Sequence, residues 1–315
     1  MKKSKLKVKA LLLFSGGLDS ILTAKILEGQ GIEVTALTFV SYFFDAGQAK
    51  KSAKENNIKL ITKDISKEHF KIVKNPCFGY GVGMNPCIDC HLLMLKVAKK
   101  IAAKENFDLV ATGEILGQRP MSQNREALKL IEKKAGLVGK ILRPLSARAL
   151  PITEMEKTNV VDRQHLFSFR GRGRKMQIEL AKKFGVKNYP SPAGGCILTD
   201  KEYSKKLREL LERMKKIKYS DIALLRLGRH FWSGDTLPTG RQARIILGRN
   251  HEENLKLKKL AEKGDILVEP KNFPGPTAIL RGKIRKKEIE AAKEKILQYT
   301  KKGDGKEIEF AEKKI

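Results

Sequence analysis

A glycine turn bordered by hydroxyl side chains follows the first apolar segment of the chain, as Ser15-Gly16-Gly17-Leu18-Asp19-Ser20. Gly16 and Gly17 allow a tight turn that exposes backbone N–H groups, and the helix predicted after the turn directs its positive end at it. Asp19 is unfavourable beside phosphate unless it binds a cation, and Mg²⁺ is the cation that accompanies nucleotide phosphates. The stretch contains neither the Walker-loop Gly-Lys-Ser/Thr nor the dinucleotide G-x-G-x-x-G. It therefore predicts a phosphate site of another kind, with a plain capped helix start as the alternative.

Three cysteines could carry metal or sulfur chemistry. Cys87 and Cys90 form a C-x₂-C pair at a predicted helix start, where the helix dipole favours the thiolate, and Cys196 follows a pair of glycines. The chain has 4 cysteines in 315 residues. That number is too small for a disulfide scaffold and indicates a reducing compartment. The remaining one, Cys77, is interpreted as a free thiol.

Strands and helices alternate along the first half of the chain, and they must position the glycine turn and the cysteines. The apolar runs predict strands at 8–14, 32–40, 58–62, 108–112 and 141–145, and helices at 20–28, 46–56 and 90–104. This alternation is typical of an α/β fold with a doubly wound parallel sheet. The phosphate loop then lies at the carboxyl end of the first strand, where such sheets bind ligands.

The composition changes near residue 200, where the Pro/Gly-rich NYPSPAGGCILTD leads into a charged segment. Residues 201–216 are predicted to form a helix, and ARIILGRN, DILVEP and TAILRGK are predicted strands of a smaller α+β unit. The last residues, 303–315, are either a frayed end or an edge strand. We expect two domains, residues 1–200 and 201–315.

The charge of the chain points to a polyanionic partner. There are 65 Lys and Arg residues against 35 Asp and Glu residues, which gives a net charge of +30, and both predicted domains are basic. A charged surface of the kind found in heat-adapted proteins is the alternative, but it does not account for the imbalance. RNA or DNA is therefore the first candidate partner.

The loop SGGLDS resembles the Ser-Gly-Gly-x-Asp-Ser sequence of the PP-loop ATP pyrophosphatases, which follows the first strand of their Rossmann-like HUP-type sheet. The resemblance implies that the loop grips the β,γ-pyrophosphate of ATP with Mg²⁺. ATP is then cleaved between its α and β phosphates, and an acceptor is adenylated.

Two further stretches resemble enzymes that place sulfur in tRNA. Residues 112–123, TGEILGQRPMSQ, resemble a stretch of tRNA 4-thiouridine synthases, and the Arg-Pro-Leu of 143–145 resembles the segment that follows it there. NPCIDC at 85–90 resembles the Asn-Pro-Cys-x-x-Cys of tRNA 2-thiouridylases, with His91 in place of the usual Asn. The resemblance implies that ATP or the target base is bound by Thr112, Gly113, Glu114, Gln118 and Gln123.

Three interpretations of the cysteines remain open. Cys87, Cys90 and Cys196 could hold a [4Fe-4S] cluster by three irons and leave one iron open to incoming sulfide, as in PP-loop thiolases that they resemble. They could instead relay a persulfide that is released as a disulfide. A structural zinc site completed by Cys77 or His91 is the third interpretation.

Two basic regions are candidates for RNA contact. Residues 169–177, FRGRGRKMQ, offer Arg170, Arg172, Arg174 and Lys175 on a glycine-rich loop, with a solvated basic loop as the alternative. Residues 243–257 and 265–280 resemble the RNA-binding module of NFACT-type ribosome-rescue factors, through Gly-Arg-Asn at 248–250, Asn254 and Pro-Gly at 274–275. Arg229 and Arg249 are the predicted RNA contacts there. The segment LLRLGRHFW at 224–232 also contains Trp232, which either stacks on a base or packs in the core.

These features together predict an ATP-dependent tRNA sulfurtransferase, with 4-thiouridine favoured over 2-thiouridine as its product. Asp19, Cys87, Cys90 and Cys196 are the predicted catalytic residues. The expected sulfur donor is inorganic sulfide or a cysteine desulfurase, and a homodimer is possible. No segment approaches the length of a membrane span, so we expect a cytoplasmic protein without a membrane partner. The alternatives are a PP-loop ligase that acts on a small molecule and a non-catalytic RNA-binding factor.

Overall fold

The computed structural model of the chain describes residues 7–191, 196–233, 242–300 and 308–315. Its backbone divides into two units, Met1–Ile197 and Leu198–Ile315. The division falls in the segment where the composition of the sequence changes.

The first unit is built on five parallel strands in the order β3-β2-β1-β4-β5. The strands are β1 (Lys9–Leu13), β2 (Glu33–Val40), β3 (Lys59–Asp64), β4 (Leu109–Thr112) and β5 (Ile141–Leu142). The direction of the strand order reverses beside β1, where β1 pairs with β2 on one edge and with β4 on the other. The predicted doubly wound parallel sheet is confirmed.

Helices cover both faces of this sheet, because its central strands are apolar on both sides. The helices of this unit are α1 (Leu18–Gly29), α2 (Gly47–Glu55), α3 (Ser66–Lys74), α4 (Cys87–Lys104), α5 (Arg125–Ala135), α6 (Glu154–Lys157) and α7 (Lys175–Lys183), with 3₁₀ helices at Ala147–Ala149 and Arg163–His165. A further 3₁₀ helix, Ile197–Thr199, begins at the last residue of this unit. Ile21 and Leu22 of α1 pack in the core of one face, and Leu95 of α4 and Ile131 of α5 pack in the core of the other.

The second unit contains a five-stranded sheet, paired antiparallel throughout, in the order β10-β8-β9-β7-β6. Its strands are β6 (Arg229–Ser233), β7 (Ala243–Leu247), β8 (Ile266–Pro270), β9 (Ala278–Gly282) and β10 (Phe310–Lys314), and its helices are α8 (Lys201–Arg213), α9 (Tyr219–Leu224), α10 (His251–Leu260) and α11 (Lys286–Gln298). Ile296 of α11 packs on one face of the sheet and Leu257 of α10 on the other. This is the smaller α+β unit that the sequence predicts.

Of the two edge strands of the second sheet, one agrees with the sequence analysis and the other was missed by it. β10 forms an edge strand, which was one of the two possibilities for the last residues. β6 lies at the other edge and was not predicted, because every one of its residues is half-buried and no apolar run marks it. Among the described residues, no helix combines the length and apolarity needed to cross a bilayer.

Candidate active site and nucleic-acid interface

The loop after β1 is shaped by Gly16. Its φ is +77°, and a Cβ at this position would lie 2.7 Å from the Cα of Ala49 and from the carbonyl oxygen of Gln48 at the start of α2. The buried hydroxyl of Ser52 donates to the Gly16 carbonyl at 2.8 Å. The turn is therefore anchored against α2 and requires glycine at its first position.

The first turn of α1 presents backbone N–H groups at the carboxyl end of β1. Gly17 is the N-cap residue, and no side chain caps the helix. The Ser20 hydroxyl donates to the Gly17 carbonyl at 2.8 Å, whereas Ser15 is exposed and its hydroxyl accepts from the Gly17 N–H at 3.3 Å. An uncapped helix start at the switch point of the sheet is suited to a phosphate group.

The loop after β4 packs directly against this helix start. A Cβ on Gly113 would lie 2.9 Å from the carbonyl carbon of Asp19 and from the backbone nitrogen of Ser20. Only glycine allows the two backbones to approach so closely. The segment Thr112–Gln123 therefore shares one site with the phosphate loop.

Asp19 is the acidic group of this site. Its Oδ2 accepts from Gln118 Nε2 at 2.8 Å, while its Oδ1 is buried and makes no hydrogen bond. Burial raises the pKa of Asp19, and Gln118, Arg174 and Arg119 oppose that rise. A buried carboxylate oxygen with no partner fits a magnesium ligand, because hard cations bind such oxygens.

Other buried polar atoms of the loop after β4 and of α7 also lack hydrogen-bond partners within the described part of the chain. They are Ser122 Oγ, Gln123 Oε1 and Gln177 Nε2. Gln177 lies on α7, is almost fully buried, and approaches Asp19 closely enough to lower its pKa. Because buried polar groups normally have partners, these atoms are candidates to bind a polar ligand together with Asp19.

Glu114 is buried and fully engaged by protein groups. Its Oε2 accepts from Thr112 Oγ1 at 3.0 Å and from Arg143 Nε at 2.9 Å, and its Oε1 accepts from His91 Nδ1 at 2.9 Å. Burial would raise the pKa of Glu114, but Arg143 and His91 outweigh it and lower the pKa to about 2. The carboxylate therefore joins the loop after β4 to the helix that carries the cysteines.

The predicted cysteines lie together near this network. Cys87 and Cys90 are in the first turn of α4, which begins at Cys87, and the Asp89 carboxylate holds the backbone N–H groups of Cys77 and Phe78 at 3.1 and 3.0 Å. Burial raises the pKa of Cys90, and the charges of Cys196 and Cys87 raise it further, which places the three sulfurs within electrostatic reach of one another.

The expectation that the helix start favours thiolates is wrong for this structure. Burial raises the pKa of Cys87 as well, although Arg119 partly opposes it. Arg119 thus acts on both Asp19 and Cys87, so that carboxylate and that thiol lie within electrostatic reach of one arginine. Over the described residues, no group of three or more His, Cys, Asp or Glu side chains is arranged to hold a metal ion.

The basic loop before α7 is tied to the same site. Leu116 and Arg170 form a parallel bridge, and the Gly171 N–H donates to the Leu116 carbonyl at 2.8 Å. Arg174 approaches Asp19, whereas the other three predicted RNA contacts of this loop, Arg170, Arg172 and Lys175, are exposed.

In the second unit, the Gly-Arg-Asn segment organises the start of α10. Asn250 caps the helix by accepting from the Glu253 N–H at 2.9 Å. Asn254 Oδ1 accepts from the Thr277 N–H at 3.1 Å and would lie 2.0 Å from a Cβ on Gly248, so only glycine fits there. The half-exposed Arg249 pairs with Glu253, with Nε 3.0 Å from Oε1.

The pairing of Arg249 and Glu253 predicts a pH dependence of stability. The hydrogen bond from Arg249 is the main cause that lowers the pKa of Glu253, to about 2. The pair should stabilise the unit fully above the ordinary glutamate pKa of about 4.3, and this contribution should be lost as the pH falls towards 2. Urea unfolding followed by the single tryptophan, Trp232, should show that Glu253→Gln lowers the stability at pH 6 and weakens its fall towards pH 3. Glu252→Gln, at the exposed neighbouring position, is the control, and equal pH slopes for Glu253→Gln and the wild type would contradict this assignment.

Comparison with known proteins identifies two regions of the chain. Residues 6–158 match the family model described as "Thiamine biosynthesis protein (ThiI)". Residues 228–314 match the model described as "NFACT protein RNA binding domain". The first match contains the phosphate loop and Cys87 and Cys90, and the second contains β6 to β10.

Curated relatives match the first region. A "Probable tRNA sulfurtransferase" of Alkaliphilus oremlandii is 28% identical over 171 residues, which cover 49% of this chain and 38% of that protein. A "tRNA-specific 2-thiouridylase MnmA" of Syntrophomonas wolfei is 37% identical over 116 residues, which cover 34% of this chain and 33% of that protein. The chain thus spans well under half the length of these relatives. The matches confirm the resemblance to PP-loop tRNA thiolation enzymes.

A solved structure titled "Crystal structure of a 4-thiouridine synthetase - RNA complex with bound ATP" has a TM-score of 0.39 and 22% identity, covering 57% of this chain and 41% of that one. A similarity at this TM-score supports no conclusion about the chain.

Proposed function

We propose that this chain is an ATP-dependent tRNA sulfurtransferase that converts a uridine to a thiouridine. The observation that carries the proposal is the placement of Asp19. Its Oδ1 is buried without a partner at an uncapped helix start, within electrostatic reach of Arg119 and Arg174. The similarity of this region to tRNA sulfurtransferases supports the same function.

In this proposal the first unit binds ATP. The N–H groups at the start of α1, with Ser15, Gly16 and Gly17, hold the β,γ-pyrophosphate, and Asp19 holds Mg²⁺, which neutralises charge on the phosphates. Gln118, Ser122, Gln123 and Gln177 supply donors and acceptors for the nucleotide or the base. Glu114 positions Thr112 and the start of α4 and does not itself contact the substrate, because its oxygens are already engaged.

The reaction has two steps. The carbonyl oxygen of the uridine attacks the α-phosphate of ATP, which releases pyrophosphate and leaves AMP on that oxygen. Sulfide then attacks the ring carbon and AMP departs, so the C=O becomes C=S. Arg119 and Arg174 stabilise the charge that develops on the phosphates.

Cys87, Cys90 and Cys196 are proposed to handle the sulfur. The three thiols lie within electrostatic reach of one another, and Cys87 lies within reach of Arg119, which also acts on Asp19; both observations support this role. Among the described residues the three thiols are not arranged to hold a metal ion, so they do not fit a [4Fe-4S] cluster in this arrangement. The cluster, the persulfide relay and the donor, whether sulfide or a cysteine desulfurase, remain predictions.

The second unit is proposed to bind the tRNA. The similarity of residues 228–314 to an RNA-binding domain and the positive charge of the chain support this. 4-Thiouridine is the favoured product on the basis of the Thr112–Gln123 segment.

The test is incubation of the full chain, purified without oxygen, with ATP, sulfide and unmodified tRNA, followed by mass spectrometry of the nucleosides. We expect one thiouridine, with AMP and pyrophosphate released only when RNA is present. ATP turnover that survives RNase treatment would favour a ligase acting on a small molecule. Tight RNA binding without AMP release would favour a non-catalytic factor.

Iron and acid-labile sulfide analysis of the same preparation tests whether the three cysteines hold an iron–sulfur cluster.

A further inference from the structure

Cationic and aromatic side chains alternate in space where β6 faces the end of α11. The Arg229 guanidinium lies 4.3 Å from the centroid of the Tyr299 ring. The Lys295 ammonium lies 5.0 Å from the centroid of Phe231, and the Phe231 and Tyr299 rings are 6.2 Å apart. We name these four residues, Arg229, Phe231, Lys295 and Tyr299, the β6–α11 platform.

The platform follows from the alternation of side chains along a strand. Arg229, Phe231 and Ser233 share one face of β6, and the Ser233 hydroxyl donates to Glu288 of α11 at 3.2 Å, so this face looks toward that helix. β6 is the last strand at its edge of the sheet, and Tyr299 is 47% exposed just after α11. Aromatic surface is thus accessible beside two cationic groups.

The opposite face of β6 is occupied by protein groups. Trp232 lies between Arg213 and Arg244, whose guanidinium carbons are 5.3 and 5.8 Å from its ring. Arg244 is 1% exposed and donates to His230 Nδ1 through its Nε at 3.1 Å. Trp232, which the sequence offers for stacking, is therefore engaged by two arginines, whereas Tyr299 on the other face is the ring that is exposed.

We propose that the β6–α11 platform stacks an unpaired base of the tRNA substrate, which deepens the proposed function and rests on it. Aromatic rings and arginine planes both stack on bases, and every base offers a flat face. The positive Lys295 ammonium lies next to the aromatic rings, where it can pair with the negative phosphate of the stacked nucleotide. A paired A-form helix keeps its bases inside, so the occupant is a loop or an end of the tRNA.

The test is equilibrium binding of the full chain to tRNA at several salt concentrations. Tyr299→Leu keeps an apolar side chain in the platform and removes the ring, so we expect about tenfold weaker binding. The salt slope, which is the slope of the logarithm of the binding constant against the logarithm of the salt concentration, should not change because no charge is lost. Arg229→Lys keeps the charge and loses the planar group, and it should weaken binding in the same way. Lys295→Gln removes one positive charge near the phosphate, so it should reduce the magnitude of the salt slope by about one.

Tyr219→Leu is the matched control, since Tyr219 is an exposed tyrosine of the same unit at the start of α9, and its binding should equal that of the wild type. Tyr299→Trp should restore binding. Wild-type affinity in both Tyr299→Leu and Arg229→Lys overturns the platform, even if the wild-type chain thiolates tRNA. If the wild type makes no thiouridine while Tyr299→Leu still loses affinity, the platform stands and the sulfurtransferase assignment fails.

Discussion

Replacement of Asp19 by asparagine is expected to slow thiouridine formation by at least about 100-fold, because the variant loses the charge that is proposed to hold Mg²⁺ against the pyrophosphate. The amide oxygen can still accept the hydrogen bond from Gln118, so the loop should keep its shape. Affinity for tRNA should remain within about twofold, since Asp19 contributes nothing to the positive charge that attracts RNA. Thiouridine is measured by mass spectrometry of nucleosides, and pyrophosphate release is followed in the same reaction.

Asp108→Asn is the matched control for this variant. Asp108 precedes β4 at the opposite end of the same strands, and its carboxylate accepts from the Lys9 N–H at 2.7 Å. Loss of the Asp108 charge should leave the rate of thiouridine formation unchanged. If Asp19→Asn keeps the wild-type rate, the magnesium role of Asp19 is wrong.

Replacement of Cys196 by serine is expected to abolish thiouridine formation while pyrophosphate release continues. Cys196 lies within electrostatic reach of Cys90 and is proposed to act only after AMP has been loaded. The two half-reactions should therefore separate in this variant. Release of pyrophosphate in the presence of tRNA is compared with the amount of thiouridine formed.

Cys77→Ser provides the control, because Cys77 is exposed and its backbone N–H, not its thiol, is held by Asp89. It should form thiouridine at the wild-type rate. Full activity in Cys196→Ser, or loss of activity in Cys77→Ser, would mean that the sulfur is handled by a different set of thiols.

Much of the first unit could be predicted from the sequence, because buried parallel strands are short apolar runs and the helices between them are periodic. The largest error within the sheet concerns β5, which was predicted over 141–145 and covers only Ile141–Leu142. Pro144 lacks a backbone N–H and cannot continue a ladder in the sheet. β6 was missed because its charged and aromatic residues become a strand only through pairing with β7.

The candidate site was predictable where its residues are contiguous. Asp19, Gly113 and Gln118 stand in compact motifs, and the structure brings them together. Gln177 was missed because it reaches Asp19 from α7, far along the chain, and nothing in its local sequence marks it. The role of Arg143 was also missed, although its segment was noticed, because a partner such as Glu114 is defined only by tertiary contact.

The network around Glu114 also fixes the position of α4 relative to the end of β4. A single buried carboxylate accepts at once from Thr112, at the end of β4, and from His91 of α4, the helix that begins at Cys87. Any shift of that helix along its axis would strip a hydrogen bond from a charge that water cannot reach, which is costly. The end of β4 and the start of α4 are thus held in register by one buried carboxylate, and loosening either contact would take a hydrogen bond from a charge in the interior of the unit.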